Sequence, residues 1–136
     1  MAVEMCADKV LSIFVKPEDK TLAATPTIFM WRAPFAGRVI GCYASDETGV
    51  AADATNYMTL TLTNTDADGT GTTSMGTHVG TAAVAAGVPK AFTLSTTAAS
   101  IEFDAGDIIK LVKTEAGTGQ DFTDVRFQLD VVSGKS

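Results

Sequence analysis

The chain contains a single histidine, His78, and its imidazole is the first candidate for catalytic chemistry. A hydrolytic triad would need it beside an activated nucleophile and a carboxylate. The surrounding stretch, SMGTHVGT, has no nucleophile elbow, and one imidazole supplies too few donors for a zinc site. We therefore interpret His78 as an ordinary loop or strand residue. We predict a non-enzymatic protein without a catalytic site, a metal or a cofactor.

A second chemical motif, NTDADGTG, matches the first half of a calcium-binding loop. Asn64, Asp66 and Asp68 alternate along it, and Gly69 follows. The twelfth position counted from Asn64 is Met75, where such a loop needs a bidentate glutamate, and no helix pattern flanks the segment. The sequence favours an exposed hairpin tip in which Asn and Asp form turns.

Paired carboxylates could also suggest glycoside hydrolysis, which uses two acids facing each other across a cleft. The available pairs are Asp104 with Asp107 and Asp121 with Asp124. Both pairs fall at predicted turns, where Asp is common because its side chain bonds to the turn backbone. We interpret them as turn residues.

Charge and hydropathy narrow the function classes further. The 136 residues carry a net charge of −6, with 46% hydrophobic and 19% charged residues, and the isoelectric point is near 4.5. Nucleic-acid binding is disfavoured because it needs clustered Lys and Arg, and the sequence has no basic cluster. No apolar run is long enough to span a bilayer, and no signal-peptide pattern opens the sequence. We expect a chain that is made in the cytoplasm and has no membrane partner.

The alternation of residue types predicts the fold. Segments rich in Thr and Val are separated by breaks rich in Gly, Asp and Asn, which is typical of an all-β protein. In the clearest segment, YMTLTLTNT, Met58, Leu60 and Leu62 point one way and the threonines the other. About eight such segments predict a two-sheet antiparallel sandwich of jelly-roll type. Residues 1–26 form a predicted N-terminal strand or extended arm with its linker, and residues 27–136 form the predicted sandwich domain.

The stretch TIFMWRAPFAGRVIGCYA predicts two strands around a turn, and both faces of both strands are apolar. In the first strand Phe29 and Trp31 lie on the face opposite Met30, and in the second strand Ile40 and Cys42 share a face. A strand with one face in water would carry polar residues on that face. The second face of this pair must therefore be covered.

Two covers are available: the N-terminal segment folding back, or a neighbouring subunit. The low charged fraction favours the subunit, because few charged residues remain to coat a monomer. The predicted contacts with another chain are seven apolar or aromatic side chains: Leu11, Ile13, Phe14, Phe29, Trp31, Ile40 and Tyr43. Which apolar face of the pair is intermolecular stays open at this point.

Four stretches, WRAPFAGRVIGCYA, TLTLTN, FDAGDIIKLV and VRFQLDVV, resemble the small β-sandwich virion proteins of tailed bacteriophages. These are the jelly-roll capsid decoration (cement) proteins and related head or fibre domains. The shared early pattern is an aromatic or basic residue, Ala-Pro and a Gly turn, here Trp31, Arg32, Ala33, Pro34 and Gly37. The later turn AGD also resembles one in the complement-globular and tumour-necrosis-factor sandwich, which is commonly trimeric.

The resemblance implies a structural protein that binds the outer surface of a phage head and stabilises it through contacts between subunits. It implies a homotrimer whose partner is the phage major capsid protein, made in the bacterial host cytoplasm and located on the capsid surface of the virion. The seven apolar residues then become candidate oligomer or capsid contacts. The alternative is a head-fibre or tail-tip module of the same fold that recognises a ligand on the host surface.

Overall fold

The computed structural model describes residues 10–15, 27–120 and 125–135, which form ten strands and one four-residue helix. The elements in chain order are β1 (Val10–Val15), β2 (Thr27–Arg32), β3 (Gly37–Asp46), β4 (Tyr57–Asn64), β5 (Thr73–Val79), β6 (Lys90–Ala91), β7 (Thr93–Leu94), α1 (Ala98–Ile101), β8 (Glu102–Phe103), β9 (Ile108–Ala116) and β10 (Val125–Ser133). Within these ranges, no helix has the length and apolar character needed to cross a membrane.

The strands form two antiparallel sheets. Sheet I has the order β1-β10-β3, and the short strands β6 and β8 both pair with β3. Sheet II has the order β2-β9-β4-β5-β7. β6 and β8 lie along the same edge of β3, so together they take the place of one strand. With that strand counted once, the strand order forms two interleaved Greek keys, which is the jelly-roll arrangement. The predicted all-β, two-sheet antiparallel sandwich is confirmed. The count exceeds about eight because β6, β7 and β8 have only two residues each.

The N-terminal strand belongs to this sandwich. β1 lies at the edge of sheet I and pairs with β10 along its whole length, from Val10 opposite Val132 to Val15 opposite Phe127. The rest of the predicted arm and linker, residues 1–9 and 16–26, lies outside the described residues. The predicted domain boundary after residue 26 therefore stays a prediction, although the strand that precedes it is hydrogen-bonded into the sheet.

Alternating apolar residues from both sheets fill the space between them. In β4, Met58, Leu60 and Leu62 are fully buried while the intervening threonines are half-buried, as the sequence pattern predicts. Aromatic rings join the two layers at the centre. Phe127 of β10 has its ring centroid 5.0 Å from that of Phe29 in β2.

The structure shows which face of β2 points inward. Phe29 is 7% exposed and lies in the core, and Trp31 is half-buried against the rings of Phe35 and Phe103. Met30, between them, is 60% exposed. The core therefore takes the two larger aromatic side chains, and the methionine points to the outside.

A β-bulge changes the pattern in β3. Val131 pairs with Val39 and Asp130 with Gly41, so Ile40 is an extra residue without a partner in β10. A bulge shifts the alternation by one residue. Ile40 is 45% exposed while Cys42 is fully buried, and the prediction that these two residues share a face is wrong.

The neighbours Phe29 and Met30 test this assignment of faces. Truncating Phe29→Ala leaves a cavity in the core, and we expect the free energy of unfolding to fall by about 3–5 kcal/mol. Met30→Ala, on the outer face of the same strand, should change it by less than about 0.5 kcal/mol. Urea unfolding followed by circular dichroism measures both variants. Equal losses at the two positions would show that the faces are assigned incorrectly.

Candidate contact surface

A row of side chains crosses the outer face of sheet I. Phe14 of β1 pairs with Gln128 of β10, Gln128 pairs with Tyr43 of β3, and Tyr43 pairs with Ala91 of β6. Residues directly opposite one another in an antiparallel pair project from the same face. Because Phe127 points into the core, this row points away from it. Two aromatic side chains thus lie on one outer face, separated by one strand.

A groove with a volume of about 200 Å³ runs between these aromatic side chains. Its lining is Phe14, Tyr43, Ala44, Ser45, Pro89, Arg126, Phe127 and Gln128. The charged member, Arg126, makes an exposed ion pair with Glu47 at 3.3 Å from Nε to Oε1. We call this feature the aromatic groove.

Gly41 determines where the ring of Tyr43 lies. A Cβ atom at position 41 would stand 3.0 Å from Cε2 and 3.2 Å from the hydroxyl oxygen of Tyr43. Contacts of that length are tighter than ordinary van der Waals contact, so the ring would have to move. The glycine therefore lets the tyrosine ring lie close against β3 at the edge of the aromatic groove.

Further apolar side chains are exposed on the same sheet. Phe14 is 71% exposed, Val10 on the same strand is 56% exposed, and Ile40 stands out at the bulge of β3. With Tyr43 they make up what we call the sheet I face: Val10, Phe14, Ile40 and Tyr43. Two of the four, Phe14 and Tyr43, line one groove, and exposed apolar grooves of this kind often mark interaction sites.

The outer face of sheet II has a different character. Thr61 of β4 stands between Val112 of β9 and Thr77 of β5, and Thr77 pairs with Thr93 of β7. Thr114 continues this surface along β9. A threonine-rich face is compatible with water, since each hydroxyl group can bond to solvent. Two exposed apolar side chains, Met30 and Val79, stand on the same face. The outer face of sheet II therefore combines threonines with aliphatic residues, while the aromatic pair belongs to sheet I.

The structure separates the seven predicted contact residues into two groups. Phe14 and Tyr43 come together in the aromatic groove, and Ile40 is exposed on the same sheet. Leu11 is 41% exposed on β1. Whether these side chains meet another chain stays a prediction.

The remaining predicted contacts are turned toward the core. Ile13 and Trp31 are partly buried and packed against it, and Phe29 is taken up by it. The core leaves little of the Phe29 side chain for a second chain, so we remove it from the contact surface. Val10 and Met30, both well exposed, were not among the seven predicted residues. Met30 could have been recognised as outward-facing, because it alternates along β2 with two larger aromatic residues, which are preferentially buried in a core.

His78 lies in β5 and is buried, with 4% of its surface exposed. Its ring is 5.9 Å from that of Phe92, and its Nε2 has no hydrogen-bond partner among the described residues. Burial lowers the pKa of His78 below its usual value of 6.5, and the positive charge of Lys90 lowers it further. The imidazole is a neutral core group at neutral pH.

The calcium-like segment forms the connection between β4 and β5. The Asn64 side-chain amide donates to Asp107 Oδ2 at 2.9 Å, and its oxygen accepts a bond from the backbone N–H of Asp66 at 2.9 Å. Asp68 accepts bonds from the backbone and the hydroxyl of Thr70. These oxygens are engaged in turn formation. In the part of the chain that the structure describes, no group of three or more His, Cys, Asp or Glu residues could hold a metal ion.

A buried ion pair, which the sequence pattern did not reveal, lies at one end of sheet II. Lys113 of β9 is fully buried and pairs with Glu115, whose other oxygen accepts a bond from the backbone N–H of Gln120 at 3.1 Å. The Gln120 side chain accepts from the backbone of Met58 at 3.2 Å and donates to the carbonyl of Ala51 at 3.0 Å. This network ties two loops to the sheet, a structural role that satisfies buried polar groups.

Comparisons with known proteins add little to this geometry. No protein-family model matches the sequence, and no curated protein does. A comparison of structures aligns 93% of this chain with 33% of a chain in the structure of infectious bursal disease virus Gx strain, at 15% identity and a TM-score of 0.39. The chain thus spans about a third of that chain's length. A likeness at this TM-score carries no argument about fold or function.

The buried histidine predicts a pH dependence of stability. A base whose pKa is lowered by folding takes up its proton more readily in the unfolded chain, so acid favours unfolding. We expect the free energy of unfolding to fall as pH drops below about 6.5, by at most about 1.4 kcal/mol per pH unit. Urea unfolding at several pH values measures the slope.

The control is His78→Leu, which removes the chain's one imidazole. Its stability should be nearly flat between about pH 6.5 and pH 5, a range above the ordinary titration of carboxylates. Identical slopes in the parent and the variant would contradict the assignment of this effect to His78.

Proposed function

We propose that this chain is a non-enzymatic structural protein of a virion, a capsid decoration (cement) protein. In this proposal it binds the outer surface of a phage head and stabilises the shell through contacts between subunits. Its partner is the phage major capsid protein, and three copies assemble as a homotrimer. The chain is made in the host cytoplasm and is located on the capsid surface.

The observation that carries this proposal is the aromatic pair on the outer face of sheet I. Phe14 and Tyr43 flank the aromatic groove there, whereas the exposed apolar side chains on the outer face of sheet II, Met30 and Val79, are aliphatic and stand among threonines. Aromatic anchors beside a small groove are typical of the centres of protein–protein interfaces. A decoration protein needs one face that adheres to the shell or to its own copies and one that meets the solvent.

Binding alone explains how such a protein stabilises a shell. A ligand that binds one state and not another shifts the equilibrium toward the bound state by mass action, and no catalysis is involved. The apolar residues of the sheet I face supply the contact. The net charge of −6 disfavours attachment to packaged DNA, whose phosphates repel an acidic chain.

The aromatic groove favours one second candidate, a head-fibre or tail-tip module that recognises a ligand on the host surface. Phe14 and Tyr43 flank a volume of about 200 Å³, and aromatic walls of this kind bind sugar rings or short apolar groups. Phe14 is 71% exposed and Tyr43 is half-buried, so both rings are accessible to such a ligand.

Charge substitutions on the sheet I face test the decoration proposal. We expect Phe14→Asp and Tyr43→Asp each to weaken binding to DNA-free heads of the phage that carries this sequence by at least about 30-fold, the loss expected for a central interface residue. The measurement is co-sedimentation over a range of chain concentrations. The matched control is Thr114→Asp, an exposed residue on the outer face of sheet II that should bind as the parent does.

Two results would count against the proposal. If the parent chain does not sediment with heads at any concentration, it is not a decoration protein of that shell. If the parent binds and both Asp variants bind equally well, a surface other than the sheet I face makes the contact. Binding to host-cell glycans in place of heads, lost in Tyr43→Asp, would favour the second candidate.

A further inference from the structure

The edge strand β1 lacks the features that keep sheet edges from pairing with other chains. An exposed edge presents backbone N–H and C=O groups, and natural proteins protect it with charges, proline, bulges or very short strands. The six residues of β1, VLSIFV, include no charge and no proline, and their pairing with β10 runs without a register shift. Within the described ranges, no strand pairs with the other side of β1.

The other edges of the sandwich carry such protection. β2, at the edge of sheet II, has a register shift between Thr27 and Phe29 and ends in Arg32. The opposite edges consist of β6, β7 and β8, each two residues long. Among the described strands, β1 is the long, regular edge.

We propose that β1 pairs antiparallel with β1 of a second copy of this chain, around a two-fold axis at Ser12. The pairing joins the two copies of sheet I edge to edge into one continuous sheet. Directly opposed residues in an antiparallel pair must lie on the same face, which restricts the register to those centred on a residue. The inference concerns a contact between copies that does not depend on the proposed function.

The side chains of β1 are complementary to themselves in this register. On the outer face, Phe14 of one copy lies opposite Val10 of the other, so the two most exposed apolar residues of the strand cover each other. On the inner face, Leu11 lies opposite Ile13. The one polar side chain, Ser12, meets its own copy at the axis, where two hydroxyl groups can bond to each other. Every apolar residue from position 10 to position 14 thus gains an apolar neighbour.

The size of the contact sets its strength. Five residues on each side bury less area than a standard stable interface, so the pair forms a weak, concentration-dependent dimer in solution. Backbone hydrogen bonds supply part of the affinity, as in other cases of strand addition. A two-fold contact of this kind is separate from the proposed trimer, which would need a different surface.

Two double variants test the register, and they differ only in the sign of one charge. In V10E/F14K the new glutamate of one copy lies opposite the new lysine of the other, whereas in V10K/F14K two lysines meet at each of these places. Within one chain, positions 10 and 14 are about 13 Å apart along the strand, beyond the screening length at physiological salt. A difference in self-association between the variants must therefore arise between copies.

The experiment is sedimentation equilibrium of the parent and both double variants over a range up to about 1 mM. We expect the parent to reach twice its monomer mass of 14.1 kDa. V10E/F14K should dimerise at least about tenfold more tightly than V10K/F14K, because opposed unlike charges attract and like charges repel. Thermal unfolding checks that both variants stay folded, as expected for exposed positions.

Three results would overturn the proposal. A parent that stays monomeric over the whole range shows that the edge does not pair. Equal self-association of the two double variants shows that any dimer uses another surface or register. A parent that forms only trimers, unchanged in both variants, leaves the proposed function intact and excludes the β1 contact. No phage head is present in this experiment, so a negative result here leaves the head-binding proposal untouched. Failure of head binding likewise leaves the β1 contact untouched.

Discussion

The ring of Phe127 lies between the two sheets, and the rest of the structure depends on the contacts that it makes. Its centroid is 5.0 Å from that of Phe29 and 6.1 Å from that of Phe92. Strand residues alternate between faces, so fixing these rings inward fixes their neighbours outward. Met30 and Gln128 therefore point away from the core. The exposed surface of the protein is in this sense a consequence of how the aromatic centre is packed.

The two outer faces differ in the residues that occupy the outward positions of their strands. On sheet II the outward positions of β4 are threonines, whose hydroxyl groups solvent can satisfy. On sheet I the outward positions include Phe14, Tyr43 and the bulged Ile40. The two opening strands lie in different sheets, so the outer face of β2, with Met30, and the outer face of β3, with Ile40 and Tyr43, are separate surfaces. The aromatic pair on sheet I is the observation on which the proposed structural role rests.

The fold class was predictable from sequence because period-two alternation and turn residues are local signals. YMTLTLTNT became β4 with the expected face buried, and the jelly-roll sandwich followed from the number of segments. The short strands β6, β7 and β8 were not predictable in detail, since two residues carry no periodicity. The buried pair of Lys113 and Glu115 was also missed, because alternation alone does not show that an inward lysine has a partner.

The contact surface was predictable only in part. Phe14 and Tyr43 were correctly recognised as apolar residues of strands, but their meeting across β10 is a long-range register that no local pattern encodes. The inward position of Cys42 depends on the bulge at Ile40, which inserts one residue and reverses the faces beyond it. Phe29 was included among the candidate contacts because alternation gives two faces and does not say which one is inside.

The place of β1 beside β10 has a consequence for biosynthesis. The strand near the beginning of the sequence finds its hydrogen-bonding partner more than a hundred residues later, at Val125–Ser133. At typical translation rates of about 5–20 residues per second, β1 leaves the ribosome on the order of 10 s before β10 has been synthesised. During that interval the apolar segment VLSIFV has no strand of its own chain to join. Neighbouring nascent chains on one messenger RNA would present the same unpaired segment to each other, so the final strand completes the fold and also ends the period in which chains are most prone to associate incorrectly.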